Sequence, residues 1–364
     1  MIFQLFITQK CNLNCKYCFE GEKNNIDMQE SLLPHVAMFM LNYVKNDFII
    51  DKQIWVNFNG GEALLRKEFI SIAVKTFLSY GITHFSISTN FTLCDDNFLD
   101  FLIKNNFTIQ LSIDGKQKTH DKNRCDYNNN GTFSIVWERI NYLNKKYPNA
   151  NVLYSMVFTP ETIRKLYTNV KFLIKHIEHL KLIASYNSKA IWKKEDFIIL
   201  KKQFKKIRKL YVNNIKQGKD IYLKSLSKNI TDTIFNKKST CGCCKDLIGI
   251  KPNGEVLACG AFLGNHYENN FKIGSVLDNK LNMELIFSLL SIKIENIACN
   301  NCNFKHRCDN DCLVCNLDCT GNFNIPDYAC CEINKILIKE SDKAIEQLRK
   351  NTQFFKTFNP KEKK

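Results

Sequence analysis

From residue 2 to about residue 215, short runs of β-branched and aromatic residues alternate with longer stretches of helical periodicity. This alternation constrains the fold most, because parallel strands need crossover connections, and crossover helices must bury an apolar stripe against the sheet. Strands read at IFQLFIT (2–8), IWVNFNG (54–60), HFSISTN (84–90), TIQLSID (108–114), NVLYSMVF (151–158) and KLIASYN (181–187). Six strands with intervening helices predict an α/β fold, an open partial (β/α)6 barrel whose working residues gather at the carboxyl ends of the strands.

The residues at those ends are not ordinary loop residues. Cys11, Cys15 and Cys18 share one loop after the first strand. A structural zinc site wants four donors, commonly two CxxC pairs, so three in one loop leave a ligand missing. Four irons held by three thiolates would instead keep one iron open to a non-protein ligand. Gly60, Gly61 and Glu62 end the second strand, Asn90 the third, and Ser112, Asp114 and Gly115 the fourth, followed by His120, Asp121 and Arg124.

The formal charge of +16 raises the question of nucleic acid. Lys and Asn saturate the whole chain, however, and in the Lys-rich stretch 193–219 Phe197, Leu200, Phe204, Ile207 and Tyr211 follow a 3-4-3-4 spacing. That pattern is an amphipathic helix with a solvated outer face, not a binding patch. No apolar run reaches the length of a membrane span, and MIFQLFIT does not have the form of a signal peptide. A cytoplasmic enzyme without a membrane or nucleic-acid partner is expected. Seventeen cysteines in such a compartment argue for metal rather than disulfides.

Beyond Cys241 the texture changes to short polar turns dense in cysteine, the pattern of a metal-stapled domain. Cys241, Cys243 and Cys244 are crowded together, Cys259 follows a PNG turn, and then come Cys299-x2-Cys302-x5-Cys308-x3-Cys312 and the pair Cys330 and Cys331. The expected organisation is a partial barrel over 1–215, a connector over 216–240, a Cys-rich domain over 241–340, and a terminal helix and tail over 341–364.

With these motifs in place, the chain resembles the radical S-adenosylmethionine (SAM) enzymes that carry a SPASM domain, in the branch of peptide maturases and anaerobic sulfatase maturases. The resemblance implies that Cys11, Cys15 and Cys18 hold a [4Fe-4S] cluster whose open iron is chelated by SAM. It places Gly60, Gly61 and Glu62 near the methionine amine, Ser112 and Arg124 on its carboxylate, and Tyr17 and Asn90 near the adenosine. The family often has Asn-Gly where this chain has Asn90-Phe91. The SPASM resemblance implies two further [4Fe-4S] clusters, three in all. Cys299, Cys302, Cys308 and one of Cys330 or Cys331 would bind one of them. Cys312, Cys259, Cys244 and either Cys241 or Cys243 would bind the other, which can also be left with an open iron. Cys94 and Cys125 read as buried thiols, whereas Cys315 and Cys319 are spare ligands or bystanders.

The resemblance further implies a 5′-deoxyadenosyl radical aimed at one hydrogen of a peptide or protein substrate, with electrons from a flavodoxin or ferredoxin. Sulfatase maturases place an aspartate base after the cysteine matching Cys259, and here Gly260 stands there; glycine takes no proton. The preferred expectation is therefore a peptide maturase that installs a thioether or related crosslink. Formylglycine formation is the alternative, and a non-catalytic iron-sulfur or nucleic-acid-binding protein is the second alternative. The cluster loop begins at residue 11, ahead of which a peptide-capturing winged helix has no room. Leader recognition is then expected from a separate protein, from an internal surface, or not at all.

Overall fold

A computed structural model describes residues 1–18, 20, 24–185, 190–219, 221–235, 241–264, 267–278, 280–292, 296–308, 312–351 and 354. Among them are ten strands: β1 (Ile2–Phe6), β2 (Trp55–Asn59), β3 (His84–Thr89), β4 (Thr108–Ser112), β5 (Val152–Phe158), β6 (His179–Ala184), β7 (Tyr222–Leu223), β8 (Leu247–Ile250), β9 (Glu255–Leu257) and β10 (Lys272–Ser275). All six expected strands are present. The far end of the 181–187 run lies outside the described residues.

The chain divides into two compact units. The first comprises Met1–Ile113, Asp121–Leu153 and Gly242–Lys293. Its strand order is β10-β9-β8-β1-β2-β3-β4. β8, β1, β2, β3 and β4 run parallel, while β8-β9 and β9-β10 are antiparallel hairpin pairs. Pairing of Ile2 with Leu247 and of Leu5 with Ile250 fixes β8 directly against β1. Its core is aromatic: Phe85 and Phe107 stack at 5.5 Å and Phe58 and Phe107 at 5.9 Å, beneath the helix Lys67–Ser79, which buries Phe69, Ile70, Ala73, Val74 and Phe77. Offset ring stacking of this kind adds to what burial contributes.

The second unit comprises Asp114–His120, Tyr154–Cys241 and Ile294–Lys364, with β5, β6 and β7 side by side and parallel. The helix Lys194–Lys216 buries the anticipated stripe of Phe197, Leu200, Phe204, Ile207 and Tyr211. It also buries Arg208, whose Nε donates to Glu340 at 2.7 Å with both side chains nearly inaccessible. Glu340 belongs to the helix Tyr328–Leu348. That helix begins well before the terminal segment where one was expected, and its first turn carries Cys330 and Cys331. The residues read as a connector contain β7 and the helix Lys224–Ile234. Among the described residues no helix is long and apolar enough to cross a membrane.

Candidate SAM and cluster site

The parallel strands β1 to β4 bring their carboxyl ends to one edge of the first unit, and the candidate residues collect there. The Cys11–Cys18 loop is pinned from beneath: the Asn14 and Lys16 N–H groups donate to the carbonyls of Cys125 and Asn123 at 2.8 and 3.0 Å. Cys11, Cys15 and Cys18 are half-buried, and the Cys18 N–H donates to the Cys15 carbonyl at 3.1 Å. At the loop's root Asp27 accepts from Thr8 Oγ1 at 2.6 Å and Lys10 Nζ at 2.7 Å. Burial works to raise the Asp27 acid, but these bonds and Arg66 outweigh it and hold it low.

Gly60 and Gly61 pass against that loop as bare backbone. A Cβ on Gly60 would stand 2.4 Å from the Thr8 carbonyl oxygen, and one on Gly61 2.3 Å from that of Lys10. The Gly61 and Glu62 N–H groups donate to those same carbonyls at 3.1 and 2.9 Å. Side chains would push the cluster loop outward, so the double glycine is a packing requirement here.

Glu62 is 1% exposed. Its carboxylate accepts from Thr89 Oγ1 at 2.6 Å, the Asn90 N–H at 2.7 Å and the Leu64 N–H at 3.0 Å. Burial nevertheless pushes its acid up, against those three donors and the Arg124 charge. Arg124 is 7% exposed, with its guanidinium carbon 5.3 Å from the centre of the Tyr17 ring. Glu62, Arg124, Tyr17 and the cysteine loop thus belong to one neighbourhood. Ser112 closes β4, half-buried.

Asn90 is engaged by the scaffold. Its Nδ2 donates to Asn12 Oδ1 at 2.9 Å, and its Oδ1 accepts from the Thr92 N–H at 3.0 Å and Oγ1 at 2.7 Å. Asn12 in turn donates to Thr92 Oγ1 at 2.8 Å. Phe91 adopts φ = 65°, the left-handed conformation that glycine takes without strain, and is fully buried. The backbone thus keeps a glycine-like bend where the family often has glycine, held by the sequestered ring. Thr89 and Asn12 are the parts of this network that sequence reading missed; only their places beside Asn90 and Cys11 signalled them.

In the second unit Asp114 accepts from the Val157 N–H at 2.9 Å, and its own N–H donates to His120 Nδ1 at 3.3 Å. These groups fix a turn. Asp121, in the first unit, accepts from the Phe133 N–H at 2.8 Å and so caps the helix Phe133–Lys146.

The later cysteines fall into both units. In the first, Cys243 and Cys244 are buried with their sulfurs 4.0 Å apart, Cys244 takes φ = 63°, and Cys259 is half-buried. Tyr43 donates to the Cys244 carbonyl at 2.8 Å, and burial drives its phenol strongly upward. In the second, Cys299 and Cys302 share a turn, with the Cys302 N–H donating to the Cys299 carbonyl at 3.1 Å. Asn334 Nδ2 stands 4.0 Å from Cys308 Sγ, and Lys335 lies within electrostatic reach of Cys331 and Cys302. Cys312 caps the helix Leu313–Thr320, close enough to Cys241 and Cys319 to feel their charge. Cys94 and Cys125 are 3% and 4% exposed, as expected of inert thiols, and burial pushes Cys94 up to about 12.

Among the described residues no three His, Cys, Asp or Glu side chains are gathered as a single metal ion would need. A cubane takes three thiolates on three separate irons, so a short loop of three half-buried cysteines fits it better than it fits an ion. A cavity of about 160 Å³ beside the loop, lined by Gln9, Glu20, Lys251 and Glu268 among others, is smaller than sites that hold a drug-sized ligand.

Residues 5–173 match the family model described as the Radical SAM superfamily. Over 324 residues the chain is 24% identical to a cysteine-type anaerobic sulfatase-maturating enzyme of Clostridium novyi (strain NT), covering 84% of this chain and 85% of that one. It is also 24% identical over 362 residues to the radical SAM cyclopropyl synthase TigE of Paramaledivibacter caminithermalis, covering 92% and 72%. The solved structure of native anSMEcpe with bound AdoMet and Cp18Cys peptide superposes with a TM-score of 0.77 at 21% identity, covering 96% of this chain and 99% of that one. Residues 5–173 thus carry a radical SAM domain with the α/β partial-barrel fold, and the chain is an enzyme. Over most of its length the chain is similar to a sulfatase-maturating enzyme and to a cyclopropyl synthase. The class implies a [4Fe-4S] cluster and SAM.

Proposed function

We propose that this enzyme matures a ribosomally made peptide by installing a thioether or related crosslink. When bound, cluster and SAM supply a 5′-deoxyadenosyl radical that removes one substrate hydrogen. In this reading Cys11, Cys15 and Cys18 hold the cluster, and the Gly60-Gly61 backbone lies along the methionine amine. Arg124 and Ser112 take its carboxylate, the guanidinium fork suiting that group. Tyr17 holds Arg124 in place, and Glu62 and Asn90 fix the backbone around the nucleoside. Two auxiliary clusters are assigned to Cys299, Cys302 and Cys308 with a cysteine of the 330–331 pair, and to Cys312 with Cys259, Cys244 and Cys241. A flavodoxin or ferredoxin supplies the electrons.

The observation that carries the choice of reaction is Gly260. A Cβ there would stand 2.4 Å from Gln4 Oε1 and 2.9 Å from two carbons of the Phe6 ring. No carboxylate base is accommodated at this position without moving core side chains, whereas a thiolate bound to iron needs no protein base. Gln4 Oε1 is itself buried without a hydrogen-bond partner. The second reading, formylglycine formation, is favoured by the full-length similarity to a sulfatase-maturating enzyme. The test is to incubate reduced holoenzyme and SAM with Cys-containing peptides encoded near the gene and with a sulfatase peptide, then weigh the products. Loss of two hydrogens with one cysteine protected from alkylation is the expected result. Conversion of the sulfatase cysteine to an aldehyde would replace the first reading by the second.

A further inference from the structure

Three cysteines of the second unit stand together outside the expected ligand sets or at their margin. Cys315 Sγ and Cys330 Sγ are 3.1 Å apart, and the Cys319 thiol shares a hydrogen bond with that of Cys315. Cys315 and Cys319 lie one turn apart on the same face of the helix Leu313–Thr320. Cys330 sits in the first turn of the helix Tyr328–Leu348, with its N–H held by Asp327 Oδ2 at 2.8 Å. The connection between the helices is braced: Asn316, fully buried, donates to the Phe323 carbonyl at 2.9 Å, and Thr320 Oγ1 donates to that of Ile325 at 3.1 Å. The sulfurs therefore meet through a fixed scaffold.

A tetrahedral thiolate ion site would need at least three sulfurs about 3.8 Å from one another around one point. No three of the described side chains are so placed. A chain of pairwise contacts, one of them only about 1 Å longer than a covalent S–S bond, is instead the arrangement of a dithiol. We propose that Cys315 and Cys330 form a reversible disulfide site separate from the cluster ligands. Cys331 is then the cysteine of this helix that completes the Cys299, Cys302 and Cys308 set. The place of Lys335, on the Cys331 side of the helix and within reach of Cys302, agrees with that division. The assignment of Cys331 rests on the proposed auxiliary clusters; the disulfide does not.

The oxidant is a small-molecule disulfide such as oxidised glutathione. One protein thiolate attacks it and displaces one glutathione, and the second protein thiolate attacks the mixed disulfide and displaces the other. One S–S bond breaks and one forms. Two electrons pass from the cysteine pair to glutathione, and the two thiol protons end on the released glutathione. Closure would tie the helix Leu313–Thr320 to the start of the helix Tyr328–Leu348.

The experiment holds reconstituted holoenzyme anaerobically in glutathione buffers of increasing oxidised fraction, quenches with acid, alkylates, and cleaves at aspartate, which puts Cys315, Cys319 and Cys330 on separate peptides. A crosslink between the Cys315 and Cys330 peptides is expected, with iron and sulfide content unchanged. Cys315→Ser and Cys330→Ser should abolish it at full iron content, Cys319→Ser should retain it, and Cys331→Ser should retain it while losing about four irons, one cubane. Absence of the crosslink in wild-type enzyme whose iron survives the buffers would overturn the proposal. So would a Cys330→Ser variant that loses as much iron as Cys331→Ser.

Discussion

Arg124→Ala separates ligand binding from folding more cleanly than other changes at the site. The guanidinium is 7% exposed, lies against Tyr17, and is electrostatically linked to a carboxylate that is itself 1% exposed. A bond from so desolvated a cation to the methionine carboxylate contributes about 1.5 to 3 kcal/mol, which corresponds to a rise in Kd of about 10- to 150-fold. Calorimetry of SAM binding to anaerobic holoenzyme reads this directly. Arg124→Lys keeps the charge without the fork and should fall between, and Ser112→Ala should lose less. A pH signature accompanies it. The Glu62 acid is already raised from 4.5 by burial, so its contribution to stability is complete below that value and is lost as pH rises through the folded-state value. Removing Arg124 raises that acid further, so the variant's stability deficit should widen as pH rises past the wild-type folded-state value. A Kd within twofold of wild type would move the carboxylate contact elsewhere, and a deficit that narrows with rising pH would refute the electrostatic link to Glu62.

Replacing Cys11, Cys15 and Cys18 together by Ala should remove about four of about twelve irons and all SAM cleavage while circular dichroism stays native; residual cleavage would disprove the assignment of the loop. Arg208→Met alone leaves the buried Glu340 carboxylate with Lys343 as its remaining ion-pair partner and should cost up to about 3 kcal/mol in urea unfolding, whereas Arg208→Met with Glu340→Leu should recover most of that loss. Glu255 is held at about 2 by hydrogen bonds from Lys251 and Lys272. Its contribution is present above 4.5 and lost as pH falls towards 2, so the stability gap between wild type and Glu255→Gln should shrink with acid and be widest near neutrality.

The barrel strands were legible because each is a compact β-branched or aromatic run bounded by turn residues, and the Lys194–Lys216 helix because five apolar side chains keep one face. Arg208 on that same face was hidden among many cations, although its position between Phe204 and Tyr211 marks it as inward-facing. The hairpin strands β8 to β10 are three or four residues long, and nothing local in LIGI announces that its partner is the first strand of the chain. The start of the Tyr328–Leu348 helix was obscured by reading its cysteines only as ligands, though Ile333, Ile336, Ala344 and Leu348 keep a helical face. The contact of Cys315 with Cys330 is tertiary and leaves no mark on spacing alone.

The pairing of β8 with β1 bears on whether the radical domain is a detachable module. A chain stopped at residue 240 would lack the strand that covers β1 on the side away from β2, leaving the backbone groups of Ile2 to Leu5 as an open sheet edge. It would also uncover the side chains that β8 and the Gly260 turn shield, Phe6 among them. Truncates that keep only the first 240 residues should therefore aggregate, and exchanging the Cys-rich segment between related enzymes should succeed only when β8 to β10 travel with the host strand they complete.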